Sequence, residues 1–408
     1  MPNSPPTPQP LSSAEIAEAA PRYSRGWRNA KGTQLDMWIE KVVGEIPKDL
    51  RGTFIRNGPG VHEVYGEELK HPIDGDGLVV ALAFVNGKAH LRSRPDAVSW
   101  PDGLGAKESK APRQVHDFLL TPDYYVVHMT PFVSLEDFKY TNKAPGLLMR
   151  FHPGLPSRLV VIPRNSGTGE PVRQFDIQPC HIYHFAHCNQ KRCFHNSDEV
   201  TLEISALCLP EEFTMEFKDK LFLSNSNDAP GQMYSFTLSF FRSDTSTKVH
   251  SVGDGGIRRL GGSMCGEFPT VHPWSHVTPA SNRFIYVMGN VSKRLPFNSI
   301  IKIDRQSPEV PISVWTSPPG CTVGEPVFCP KLECKGQVPR TTVEEENGYL
   351  AVQVYDSARH STYFVLLEAA DPSKGPVCEL HTDTFITNGF HGSWSDELLG
   401  LGEPHGKL

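Results

Sequence analysis

The chain has 408 residues, 38% hydrophobic and 21% charged, which suits two average domains or one large all-β domain of a globular protein. Its net charge of −6 without a basic block counts against a nucleic-acid partner, and its longest apolar run, LVVALAFV (78–85), is far too short to span a bilayer. Nine scattered cysteines and the absence of a signal peptide point to reduced thiols and a cytoplasmic location.

The first 36 residues read as a tail, Pro-rich in MPNSPPTPQP, with one short helix expected at 11–20. From residue 37 to 408 the pattern is strand and turn, and no linker divides it, so one domain is expected. The 34 Gly and 36 Pro fall between short apolar runs. Strands are expected at 77–85, 124–130, 158–163, 199–207, 233–241, 283–289, 299–304, 312–317, 348–356 and 361–369. Some of these runs alternate in polarity. Others are continuously apolar and read as inner strands. The NGPG (57–60) and DGDG (74–77) pieces read as turns. PEEFTMEFKDKLF (210–222) is the best internal helix candidate. The fold class is therefore all-β: a sandwich, a barrel or a propeller.

Three histidines stand at the edges of distant strand-like runs: His116 in VHDFLL, His184 in HIYHFAHC and His391 in FITNGFHGSW. Two glutamates recur in equally apolar settings, Glu267 in CGEFP and Glu325 in VGEPVF. Alone, each such histidine reads as a satisfied core or turn residue. Together they can converge on one metal, with the carboxylates accepting the second ring N–H. Ligands on distant strands favour a propeller, whose inner strands all start near one axis. Two competing sites are weaker. Cys180, His181, His184, His187, Cys188, Cys193 and His195 are dense enough to bind zinc but contain no C-x2-C pair. Asp74 and Asp76 lack the glutamate that an EF-hand loop requires. No GxSxG motif supports a hydrolase.

RGTFIRNGPG (51–60) followed by HPIDGDGLVVALAF (71–84) resembles the opening segment of the carotenoid cleavage oxygenases. The resemblance continues through VHDFLLTPDYYVV, VIPRNSGTGEPVRQFDIQPCHIYHF, GEFP, GEPVF, EEENGYLAVQVYD and GFHGSW, in the family's order. It implies a seven-bladed β-propeller with Fe(II) on its axis, under a dome of loops holding an apolar tunnel. His116, His184 and His391 are implied as iron ligands, with Glu267 and Glu325 hydrogen-bonded behind the histidines. The implied reaction splits a conjugated double bond of a carotenoid or apocarotenoid with O2, giving two carbonyl products; some relatives act on stilbenes. A lipophilic polyene drawn from a bilayer implies peripheral membrane contact.

The chain departs from the family's pattern in two places. The family has four iron histidines, the first lying upstream of VHDF in a His-Pro context. Here the bridge DAVSWPDGLGAKESKAPRQ (96–114) has no histidine, only Glu108 in a polar run. His71 and His90 align with structural strands. At about 40–45 residues per blade, roughly two blades are missing. Three readings follow: a skipped exon, a catalytically impaired polyene-binding relative, or a three-histidine site. The well-formed flanking motifs favour the first. Around residue 184 the continuation HFAHCNQKRCF leaves His187 as an alternative ligand; His184 keeps the aromatic-His register.

Overall fold

The computed structural model describes residues 22–23, 25–27, 34–61, 63–64, 67–68, 76–96, 116–134, 149–192, 197–209, 231–246, 248–274, 283–290, 296–331 and 344–399. Both expected helices, at 11–20 and 210–222, lie outside these residues, as do Asp74, Glu108, Cys193 and His195. The described chain is almost entirely strand, with a few single-turn helical pieces such as Arg25–Trp27. Tyr23 is buried, and the Asn388 amide N–H donates to the Gly26 carbonyl at 2.9 Å, so packed structure begins ahead of residue 37.

Five sheets of four to six strands make up the body. The first joins Asp36–Trp38, Lys88–Asp96, Asp76–Val85, Gly52–Val61 and, from the far end of the chain, Gly392–Ser395. The second runs through Val249–Ser251, Arg173–Ile177, Ser157–Pro163 and Tyr124–Met129 to Phe118–Leu120. The third orders His181–Arg192, Glu199–Leu209, Gln232–Phe241 and Ile257–Arg259. The fourth orders Cys265–Thr270, Phe284–Asn290, Ser299–Asp304 and Ser313–Thr316. The fifth pairs Lys41–Gly44, Pro376–Thr384, Ser361–Glu368 and Gly348–Asp356, the last carrying both Cys321–Val323 and Val327–Pro330. Nearly all neighbours are antiparallel, as in the blades of a propeller.

Four buried apolar clusters stack these sheets face to face. One joins the first sheet to the fifth, through Phe54, Leu82 and Phe84 against Ala351, Phe364 and Leu366. Another joins the fifth to the fourth, through Leu350 and Val352 against Tyr286 and Ile300. Ile285, Ile301 and Ile303 of the fourth meet Leu207 and Met233 of the third. Leu202 and Ile204 of the third meet Val126 and Leu159 of the second. Among the described residues no such cluster joins the second sheet back to the first.

The polarity patterns explain this order. Gly348–Asp356 is buried along almost its whole length because alternate side chains feed two different clusters. Ser299–Asp304 is buried for the same reason. Tyr124–Met129 buries only every other residue, because among the described residues its sheet packs on one face. Its outer face leaves Phe118 58%, Leu120 48% and Tyr125 37% exposed.

One turn expectation is corrected. NGPG runs inside the ten-residue strand Gly52–Val61, paired with Asp76–Val85 and bulged between Pro59 and Val61. A Cβ on Gly58 would stand 2.5 Å from Gly389 Cα. Glycine serves there to let two backbones approach, and not to reverse the chain.

Candidate metal centre

Each of the five sheets contributes one candidate residue from an edge strand. His116 stands one residue removed from Phe118–Leu120, with Asp117 between, His184 lies in His181–Arg192, and Glu267 lies in Cys265–Thr270. Glu325 sits between Cys321–Val323 and Val327–Pro330, and His391 directly precedes Gly392–Ser395. Residues far apart in sequence therefore meet where the edge strands converge.

His184 and His391 face each other through Nε2 atoms 3.2 Å apart, with ring centroids at 4.8 Å. The His116 ring stands edge-on to His184 at 5.1 Å between centroids. Each Nδ1 has an acceptor. His116 Nδ1 lies 3.0 Å from the Tyr183 carbonyl oxygen. His184 Nδ1 lies 2.5 Å from Glu267 Oε2, and His391 Nδ1 lies 3.4 Å from Glu325 Oε1. Those acceptors place the ring proton on Nδ1, which at His184 and His391 leaves the Nε2 lone pairs facing each other.

Local backbone geometry aims the carboxylates. His181–Arg192 is irregular on both sides of Phe185, which turns His184 out of simple alternation. Cys265–Thr270 is bulged between Glu267 and Pro269, where Phe268 holds the left-handed φ of 53°. Two successive side chains thus face the site. The Glu267 carboxylate takes His184 and the Phe268 amide N–H at 2.8 Å, and the Phe268 ring lies 4.6 Å from His184 and 5.2 Å from His391. Glu325 accepts the Gly392 amide N–H as well as facing His391. Glu267 and Glu325 are both buried, whereas His116 and His391 are exposed.

Burial pushes the His184 ring toward the neutral form, but the Glu267 charge and hydrogen bond more than offset it, so its pKa is raised. Burial, and next the neighbouring His184, lower that of His116.

The donor set fits a divalent metal in part. Two adjacent ligands at about 2.0–2.1 Å from one ion, roughly at right angles, place their nitrogens about 3 Å apart. The His184–His391 separation matches that spacing. Two inward lone pairs this close repel unless a cation or a proton lies between them. Among the described residues, however, no three His, Cys, Asp or Glu side chains already stand together at ligating distances. His116 completes the set only by turning inward.

The alternatives separate in space. His187 is buried opposite Ser205 in the adjacent strand, and Cys188 packs with Ile182, Phe185 and Leu202. In the described part of the dense run, the strand His181–Arg192 sends His184 to the site and Cys188 to the core. Two contributors escaped the motif reading. Asp117 accepts the Phe118 N–H at 2.7 Å and the Phe185 N–H at 2.9 Å, tying the edge strands that carry His116 and His184. Phe268 walls the histidine pair. Their presence inside VHDF and GEFP was the only available signal.

A sequence profile of the family described as retinal pigment epithelial membrane protein matches residues 29–96 and 101–396. The apocarotenoid-15,15′-oxygenase of Synechocystis is 22% identical over 527 aligned positions, covering 97% of this chain and 100% of the relative. That alignment is longer than the 408 residues of the chain, so it must open gaps opposite segments that only the relative has. The carotenoid 9,10(9′,10′)-cleavage dioxygenase 1 of Phaseolus vulgaris is 24% identical over 70% of this chain, and the match spans about half (49%) of that relative. The human β,β-carotene 15,15′-dioxygenase is 40% identical over a shorter stretch, 16% of this chain and 12% of the relative. Among solved structures, cobalt-substituted Synechocystis apocarotenoid oxygenase superposes with a TM-score of 0.72 at 21% identity, over 92% of this chain and 98% of that one. This last likeness speaks to the fold: the β-propeller of that oxygenase.

Proposed function

This chain belongs to the carotenoid cleavage oxygenase family, and from that premise we propose that it is an Fe(II)-dependent dioxygenase. It cleaves a conjugated double bond of a carotenoid or apocarotenoid with O2 and yields two carbonyl products. The observation that carries the proposal is the inward-facing His184–His391 pair with a carboxylate behind each ring.

His184 and His391 hold the metal through Nε2, and His116 is the third ligand. Glu267 and Glu325 keep the ring protons on Nδ1 and fix the ring planes. Neutral imidazoles bind Fe(II) without cancelling its charge, and three of them leave coordination positions open. Iron, when bound, supplies the activation of O2. Phe268 excludes water from one side of the pair and offers an aromatic face to a polyene. The polyene partitions into bilayers, so peripheral membrane contact is part of the proposal; no described helix is long and apolar enough to cross one.

The test begins with iron and zinc content after anaerobic purification, followed by O2-dependent loss of the polyene absorption of an apocarotenal. Near-stoichiometric iron and two carbonyl products are expected, with both lost in His391→Ala. Unchanged iron in that variant refutes the assignment. The absence of a third donor already in place favours one other reading, a polyene-binding relative without turnover. It predicts a shifted polyene band without O2 uptake. A stilbene in place of the apocarotenal tests the family's other substrate class.

A further inference from the structure

We propose that Arg56 is a positioning residue of this centre, acting through Glu325 and the 389–391 backbone to aim His391. The inference rests on the metal-holding role proposed above for His391.

Arg56 lies in Gly52–Val61, opposite Gly392, and is only 3% exposed. Its Nη2 donates to the Gly389 carbonyl at 2.8 Å. Nε and Nη1 are buried with no hydrogen-bond acceptor among the described residues. A guanidinium so poorly paired is an expensive way to fill space, and an apolar side chain of similar volume would pack at lower cost.

Its surroundings show what the charge is for. The guanidinium is slotted between two glycines that bracket the carboxylate–histidine pair. A Cβ on Gly324, the residue before Glu325, would lie 2.6 Å from Nη2 and 2.9 Å from Cζ. A Cβ on Gly389, two residues before His391, would collide with Nε and lie 2.8 Å from Cδ. Neither glycine has a positive φ, so clearance for Arg56 is the reason each lacks a side chain.

The next residue completes the clamp. Asn57 donates its N–H to the His391 carbonyl at 2.8 Å and accepts the Phe390 N–H at 2.8 Å; its Oδ1 accepts the His391 N–H at 3.2 Å. The backbone on both sides of His391 is thereby pinned to the strand that carries Arg56. On the other side, the buried Glu325 carboxylate faces the His391 ring and accepts the Gly392 amide N–H. The Arg56 cation supplies a positive charge near this carboxylate. Burial lowers the Arg56 pKa to about 10 while Glu325 opposes the fall, so the guanidinium stays charged at neutral pH.

The test is Co(II) binding to the metal-free full chain, followed by visible absorption, in a double-mutant cycle of Arg56→Met and Glu325→Gln. Arg56→Met is expected to weaken Co(II) about 10- to 100-fold, the usual effect of losing an outer partner of a metal site. In the Glu325→Gln background its effect should shrink to the part carried by the Gly389 carbonyl, because the carboxylate through which it also acts has lost its charge. A merely structural Arg56 would give multiplicative losses, and that result overturns the proposal, as does unchanged affinity in Arg56→Met. Should Arg56→Met fail to fold, Arg56→Lys takes its place in the cycle. Lysine keeps the charge but not the fork, and an intermediate loss that shrinks with Glu325→Gln is then expected; multiplicative losses again overturn it. If the parent chain binds no Co(II), the metal reading itself falls and takes this inference with it. If the parent binds and the variants match it, only the role of Arg56 falls.

Discussion

Replacing Glu267 by glutamine tests whether the carboxylates orient the histidines. Glu267 is 5% exposed, and its Oε2 takes two hydrogen bonds, from His184 Nδ1 at 2.5 Å and from the Phe268 N–H at 2.8 Å. Glutamine has nearly the same shape and keeps an acceptor oxygen, so packing is conserved and only the charge is removed. Hydrogen bonds to charged groups contribute about 1.5–3 kcal/mol and neutral ones about 0.5–1.5 kcal/mol, which leaves a loss of about 1–1.5 kcal/mol at His184. Transferred to the metal-binding nitrogen, that loss weakens Co(II) binding by about tenfold. Glu325→Gln should have the smaller effect, because its contact with His391 is 3.4 Å, at the limit of a hydrogen bond. Metal titration of the apo chain measures affinity, and urea unfolding shows whether each variant stays folded. Unchanged affinity in a folded Glu267→Gln variant, or a larger loss from Glu325→Gln, would refute the reasoning.

At Phe268, substitution by Gly and by Ala removes the same ring, but only Ala retains the cost of a left-handed backbone at φ 53°. Urea unfolding should find Phe268→Ala less stable than Phe268→Gly by about 1 kcal/mol, and the reverse order would show that the bulge is unstrained. The Asp304 carboxyl is held below its ordinary range chiefly by the Arg283 hydrogen bonds, at 2.9 and 2.6 Å. Its stabilisation is complete above the unfolded value of about 3.9 and is lost as pH falls through the lowered folded value. Asp304→Asn should therefore flatten the decline of stability below about pH 4, a decline that stays intact if another carboxylate governs it. Within one edge strand, Leu119 is 9% exposed and Leu120 is 48% exposed. Leu119→Ala should cost about 2–3 kcal/mol, and Leu120→Thr should stay within about 0.5 kcal/mol. A comparable loss at both positions would mean that the outer face of this sheet is covered.

Strand positions were the most legible feature, because burial on two faces writes an uninterrupted apolar run. Gly348–Asp356 and Ser299–Asp304 match their expected bounds, and the other expected strands lie within two residues of theirs at either end. NGPG misled for the opposite reason: Gly58 answers to the backbone of Gly389, more than three hundred residues away, and no local pattern records such a contact. The same holds around the histidines. Motif order brought His184, His391, Glu267 and Glu325 forward as candidates, and the fold brings them together. The bulge that turns Glu267 and Phe268 to one side depends on tertiary packing that offsets a strained φ, and a phenylalanine in a strand gives no hint of it. Arg56 was hidden because arginine in a strand reads as a solvated face, and only the two glycines beside its guanidinium show otherwise.

The missing histidine and the missing sheet contact are one feature seen twice. Each of the five described sheets delivers one candidate residue to the centre from its edge strand, so a further sheet in the ring is expected to add one. Among the described residues four buried clusters join five sheets in series, and the unjoined ends are the sheets on either side of residues 97–115. The family profile breaks at the same place, between residues 96 and 101. The resemblance places the family's first iron histidine upstream of VHDF, which is again this interval. On the second sheet the face turned away from its neighbour exposes Phe118, Leu120 and Tyr125, apolar residues suited to contact with a further sheet. A lineage that had lost the segment long ago would be expected to have made that face polar, because apolar open sheets aggregate. Its retained apolar character supports a skipped exon over long degeneration. Transcript reads that carry an insert between Arg94 and Val115, with a histidine before proline inside it, are the expected result; reads that cross the interval without one would leave His116, His184 and His391 to hold the metal alone.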